Sequence, residues 1–247
     1  MRPPTPDLTT PDRPIGGPRS PRRALVGPVS DHDPIDRWAV VRMTGPGASP
    51  PTPTGRDHTA DDALASRAAT DVGRWTLTAF AFPPAGLLAI TAVSRVDDPV
   101  AALLGGLIAG LGIGAGQWLA LRRWTGHPGR LLMWWAGGTG AGLAAGLTVG
   151  AHVVGYGTTP ADLAVVGLCS GAAVGLAQGV ALLRAQVLPA RLALQWGAAQ
   201  PALWTLGWLV TEAFGIEVER QFAVFGATGA LASSLLAGVV LRWLRTR

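Results

Sequence analysis

The chain has 247 residues, with 20 Arg, no Lys, 15 acids and one Cys, for a formal net charge of +5. Hydrophobic residues make up 49% and charged residues only 14%, against about 25% charged in an average soluble domain. With a mean hydropathy of +0.32, this balance argues against soluble domains, and the single Cys excludes an intrachain disulfide framework and a Cys-cluster metal site.

The averages combine two unlike segments. Residues 1–70 hold 13 of the 20 Pro, 9 Arg and 8 Asp. Stretches such as Pro3-Pro4-Thr5-Pro6 and Pro50-Pro51-Thr52-Pro53 cannot enter a helix interior, because each Pro removes a donor and restrains its predecessor. Apolar residues here are too sparse to offset ordering entropy. Residues 1–60 are therefore predicted as a disordered Pro/Arg/Asp-rich tail. Arg22-Arg23 suggests a twin-arginine signal, but the apolar run Ala24-Leu25-Val26 ends at Gly27-Pro28, short of the roughly 7–15 residues such a signal needs. A start at Met43 is an alternative that would remove 1–42. Acids at Asp61 and Asp62, followed by Ala63-Leu64-Ala65-Ser66-Arg67, suit a helix dipole. They predict a short amphipathic or juxtamembrane helix over 61–74.

The remainder, 75–247, reads as a transmembrane domain. A bilayer core needs about 20 apolar residues in a helix. Six stretches qualify, at about 75–94, 100–121, 131–154, 161–183, 192–211 and 221–243. Short connections make consecutive helices antiparallel neighbours. One side carries Arg67, Arg74, Arg122, Arg123, Arg130, Arg184, Arg191, Arg242, Arg245 and Arg247. The other carries Arg95 and Arg220, with Asp97, Asp98, Asp162, Glu217 and Glu219. Ten arginines against two place both termini on the cytoplasmic side by the positive-inside rule.

The spans repeat. Trp75, Trp135 and Trp196 lie 60 and 61 residues apart, each followed eleven residues later by glycine: Gly86, Gly146 and Gly207. In the alternate helices Gly106-Gly110-Gly114-Gln117-Leu121 matches Gly167-Gly171-Gly175-Gln178-Leu182 at an offset of 61. A weaker third copy, Gly226-Ala230-Ser234-Ala237-Leu241, lies a further 59 on. The fold class follows: all-α, a six-helix transmembrane bundle of three two-helix repeats with pseudo-threefold packing. Positions spaced in this way share one helix face. Gly106, Gly110 and Gly114 thus form a helix-packing stripe, as do Gly167, Gly171 and Gly175. Gly138, Gly142, Gly146 and Gly150 form another. In lipid, glycine lets backbones approach where no hydrophobic drive exists between helices.

Gln117 and Gln178 are the candidate intramembrane polar residues. Each either bonds a neighbouring helix's backbone or contributes to a polar ring lining a pathway, and Ala237 in the third copy weakens a symmetric ring. Trp75, Trp118, Trp124, Trp134, Trp135, Trp196 and Trp243 fall near the inner boundary and are expected in an aromatic belt. Trp204 and Trp208 lie deeper. Pro83-Pro84 and Gln200-Pro201 interrupt the helix ladder, which spans tolerate and which transporters use to build sites. Glu212 belongs to an acidic outer loop, His152 sits at an outer helix end, and Cys169 is a small packing residue. The sequence offers no catalytic constellation, cofactor-binding motif or metal site, so an enzyme is not expected. The pI near 11.1 points to anionic lipid headgroups on the cytoplasmic side, not to nucleic acid. Self-association into a homo-oligomer is left open.

The stretch Gly114-Ala115-Gly116-Gln117-Trp118-Leu119-Ala120-Leu121-Arg122 resembles glycine-rich bacterial membrane proteins of actinobacterial and cyanobacterial type. These repeat a Gly-x-x-Gln-Trp-Leu-x-Leu-Arg motif between tryptophan-led spans. The second copy here loses the Trp, and the third loses both Gln and Trp. The resemblance covers about 75–247 and implies topology and a bacterial cytoplasmic membrane, but no activity. The expected role is structural or accessory, with glycine-zipper packing. The alternative is a small-solute or ion transporter or channel built from three two-span repeats.

Overall fold

The computed structural model describes residue 66, residues 69–216 and residues 218–247. The chain divides into two compact units, Met1–Thr54 and Gly55–Arg247, and every described residue belongs to the second. The expected tail over 1–60, the alternative start at Met43, the first residues of the 61–74 helix, Arg67 and Glu217 lie outside the described residues.

Six long helices occur among the described residues, with no strand. Helix α1 spans Ala69–Val93, but its Leu77–Ala81 stretch is wound as 3-10 helix. Pro83 and Pro84 have no N–H to give the carbonyls of Ala79 and Phe80. The Phe82 N–H bonds Ala79 O instead, and the α-helix restarts at Phe82 with its prolines in the first turn. Helix α2 spans Pro99–Leu121, and its N-cap Asp98 accepts from the N–H groups of Val100 and Ala101. A 3-10 turn, Arg122–Trp124, ends it. Helix α3 spans Pro128–Val153. Helix α4, Pro160–Arg184, starts at a capping box in which Thr159 and Asp162 bond reciprocally. Helix α5 spans Ala190–Ala213 and carries Pro201 inside it. Helix α6 spans Ala227–Arg245.

Four of these, α1, α2 with its final turn, α4 and α6, are long and apolar enough to cross a membrane by length and composition. Helices α3 and α5 have 26 and 24 residues, roughly 36–39 Å at 1.5 Å per residue. Glycine, tryptophan and glutamine lower their hydropathy. Many of those groups face inward: Trp135, Trp196, Gln200, Trp204 and Trp208 are all buried.

The last helix begins at Ala227, although the apolar run begins near 221. Gln221 has φ +52°, Thr211 Oγ1 accepts from the Gly226 N–H at 3.0 Å, and Gly226 is the N-cap. The run before it forms a loop whose Phe225 is buried. Phe225 stacks on Phe82 at 5.1 Å and meets Trp204 and Trp208 at 5.2 and 5.9 Å. Gly207 makes this possible, since a Cβ there would stand 2.7 Å from the Phe225 ring.

The glycine stripes are the seams between helices. A Cβ on Gly106, Gly110 or Gly114 of α2 would meet Ala144, Thr139 or Ala136 of α3 at 2.8, 2.6 and 2.7 Å. Gly142, Gly146 and Gly150 of α3 fit against Val174, Ser170 and Val166 of α4 in the same way, at 2.9, 2.6 and 2.9 Å. Gly138 is looser, at 3.4 Å from Ala177. Gly167 and Gly171 of α4 sit on Thr205 and Pro201 of α5, and Gly175 lies against the Gly197 carbonyl. That carbonyl is the one Pro201 deprives of a helical donor. Gly229 of α6 rests on Gly207 of α5, and Gly238 of α6 lies beside Trp75 of α1, where a Cβ would be 3.3 Å away. The helices therefore follow one another around a closed circuit, with the last beside the first.

The burial pattern differs from that of a water-soluble domain at both the interior and the outer face. Gln117, Gln178, Gln200, Thr139, Ser170, Ser233 and Ser234 are inside, while Phe80, Leu87, Met133, Leu176 and Leu194 are more than half exposed. Apolar side chains spread over the outer face suit a hydrocarbon solvent.

Candidate functional site

Three odd-numbered helices bring their leading tryptophans together. The ring centroids of Trp75, Trp135 and Trp196 are 6.2, 5.5 and 6.1 Å apart, within the usual range for aromatic pairs. The three are 1%, 0% and 1% exposed. They do not form the boundary belt expected from their position along the chain. For Trp135 and Trp196 the reason is local chemistry: an indole N–H can enter the interior when an acceptor waits there.

That acceptor is glutamine. Trp135 Nε1 donates to Gln117 Oε1 at 3.1 Å, and Trp196 Nε1 donates to Gln178 Oε1 at 3.1 Å. The two amides are themselves joined. Gln178 Nε2 donates to Gln117 Oε1 at 3.1 Å and to Thr139 Oγ1 at 3.0 Å. Both glutamines thus bond side chains of neighbouring helices, not backbone. Gln178 is 1% exposed and Gln117 8%, and the tryptophans close over them.

Two further polar residues of this region were not singled out as candidates from the sequence, where Gln200 was noted only beside Pro201. Thr139 lies four residues after Trp135, and Gln200 four after Trp196, one turn along the same helix face. That spacing was legible; only the packing reveals that the face points at the glutamines. Gln200 and Trp75 line a small cavity of about 20 Å³, together with Gln117, Ser233, Ser234 and Ala237.

Four other tryptophans sit at the arginine-rich end. Trp118, Trp124 and Trp134 are half-buried and Trp243 is exposed. Arg122 lies over Trp118 at 5.5 Å, Arg184 over Trp134 at 5.4 Å and Arg247 over Trp243 at 4.7 Å. Trp124 is flanked by Arg123 at 5.3 Å and Arg245 at 4.0 Å. Such stacking holds a guanidinium beside an indole while both meet solvent or headgroups. Asp71 bonds Arg123 at 2.8 Å and Arg245 at 3.5 Å, tying the starts and ends of α1, α2 and α6.

At the opposite end the three connections meet at Gln221, another residue the sequence did not single out. Its Oε1 accepts from Arg95 at 3.1 and 2.8 Å, its Nε2 donates to Tyr156 O at 2.8 Å, and its carbonyl accepts from the Val96 N–H at 3.0 Å. Cys169 is half-buried and reduced. Among the described residues no cluster of His, Cys, Asp or Glu could hold a metal ion. No known family profile matches the chain, and no curated protein or solved structure is similar to it.

Proposed function

We propose that this chain is a six-span integral protein of a bacterial cytoplasmic membrane, made of three two-helix repeats, with both termini in the cytoplasm. Its role is structural or accessory, it is not an enzyme, and its arginine-rich end binds anionic lipid headgroups. The observation that carries the reading is the filled centre. Where a carrier would keep a hydrated path, three tryptophans and two bonded amides occupy the middle of the circuit. The circuit itself, with Gly238 of the last helix against Trp75 of the first, supports a self-contained bundle. The stacked Arg–Trp pairs support a headgroup-facing end.

A transporter is the second reading, favoured by the 3-10 stretch of α1 at Leu77–Ala81 before Pro83-Pro84. Interrupted helices build substrate sites in that class. Proteoliposome flux separates the two. A structural protein shows no flux of ions or small solutes above empty vesicles, and Gln117→Ala and Gln178→Ala alter stability alone. Flux that these substitutions modulate would favour the transporter.

A further inference from the structure

The tryptophan–glutamine pairing is complete at two joints of the circuit. At each, an indole donates to the glutamine 18 residues earlier on the preceding helix. In the third hairpin the residue aligned with Gln117 and Gln178 is Ala237; its neighbour Gly238 packs against Trp75 of α1, and Ala237 lines the same cavity as Trp75. Trp75 Nε1 is buried and finds no acceptor among the described residues. Gln200 Nε2 is in the same position. Gln200 occupies the place that Thr139 holds in the second hairpin, one turn after the leading tryptophan. The third hairpin thus carries its amide on the odd helix instead of the even one, and this exchange leaves two unspent donors. Trp75 and Gln200, which are 1% and 4% exposed, line one cavity with Ala237 and Ser233.

We propose that this cavity is a binding site for a single water molecule, which accepts from Trp75 Nε1 and Gln200 Nε2 and closes the third joint. The cavity measures about 20 Å³, and one water needs roughly 10–15 Å³ on that measure together with two to four polar partners. Ser233 Oγ, which already donates to Ala230 O at 3.3 Å, keeps lone pairs free to accept from the water. Leaving both donors without a partner in a buried setting would be strongly unfavourable. No cationic side chain lines the cavity, so a halide would be buried without a counter-charge. The alignment of Ala237 rests on the repeat register. The cavity and its donors do not, and flux in proteoliposomes would overturn the structural role while leaving the water site intact.

The test uses the full chain with 15N-labelled indoles in detergent micelles. Trp75→Phe, Trp135→Phe and Trp196→Phe assign the three resonances. The Trp75 indole proton is expected to show cross-relaxation with water, and those of Trp135 and Trp196 are not. A dry Trp75 indole, equal water contact at all three, or a Trp75 shift that titrates with chloride would overturn the proposal. Ala237→Gln combined with Gln200→Thr copies the second hairpin into the third. In that variant the water signal should vanish and the Trp75 resonance should move into the range of the other two; a persistent water signal would also overturn the site. If Trp75→Phe fails to fold, this double variant identifies the resonance.

Discussion

Gln178 is the most heavily used side chain of the interior, with Gln117, Thr139 and Trp196 all bonded to its amide. Replacing it with leucine removes three bonds and leaves the Trp196 N–H buried without an acceptor. Interhelical hydrogen bonds in membranes average only about 0.6 kcal/mol, whereas an orphaned buried donor costs about 1–3 kcal/mol. The orphan decides the outcome. Gln178→Leu is expected to destabilise by about 2–3 kcal/mol. Thr139→Val leaves Gln178 Nε2 its second acceptor, Gln117, and is expected to cost under about 1 kcal/mol. Reversible unfolding in mixed micelles measures both, and equal losses would refute the central place given to Gln178.

Among elements, the helices adhere through backbone approach, so the same substitution has opposite signs at different glycines. A Cβ at Gly110 would stand 2.6 Å from the Thr139 carbonyl and 2.8 Å from the Gly140 Cα. Neither is a movable side-chain end, so α2 and α3 must separate. Gly110→Ala is expected to destabilise by about 1–3 kcal/mol, the range for overpacking a well-packed interface. Nothing lies within 4 Å of a Cβ at Gly137 in the same helix pair. Gly137→Ala should stabilise by about 0.5–1 kcal/mol through reduced backbone entropy. Thermal unfolding of the two variants beside the parent gives the comparison. The equality of both shifts would show that the seams do not depend on close approach.

At the scale of the whole molecule, closure depends on contacts between residues far apart in sequence. Asp71 links Arg123 and Arg245 while about a quarter of its side chain and a third of each partner remain exposed. Such a pair is screened and is worth under about 1 kcal/mol. Asp71→Asn is therefore expected to lower the unfolding midpoint only slightly at low salt and not at all in molar salt. The proposed topology makes a stronger prediction. Single cysteines placed at Gly129 and Thr246 in a Cys169→Ala background should react with an impermeant maleimide only from the cytoplasmic side. A cysteine at Asp97 or Gly215 should react only from the opposite side. Labelling of the Gly129 and Thr246 positions from different sides would require an odd number of spans between them, in place of four.

The sequence alone determined the approximate extent of the helices and the glycine faces of α2, α3 and α4; it did not determine the late start of α6 at Ala227 or its contacts through Gly229 and Gly238. Runs of apolar residues with small residues at every fourth position specify a helix and its contact face, because the 3.6-residue period is local, and Gly106, Gly110 and Gly114 needed no structure to be seen as one stripe. Only the tertiary structure decided where the tryptophans go. An indole at a span's end satisfies its N–H equally well with a headgroup or with an interior amide, and the choice depends on Gln117 and Gln178, which reach it from other helices. The same holds for Gln221, whose partners Arg95, Val96 and Tyr156 lie dozens of residues away. Hydrogen bonds between distant segments leave no period in the chain, so their geometry appears only once the circuit has closed.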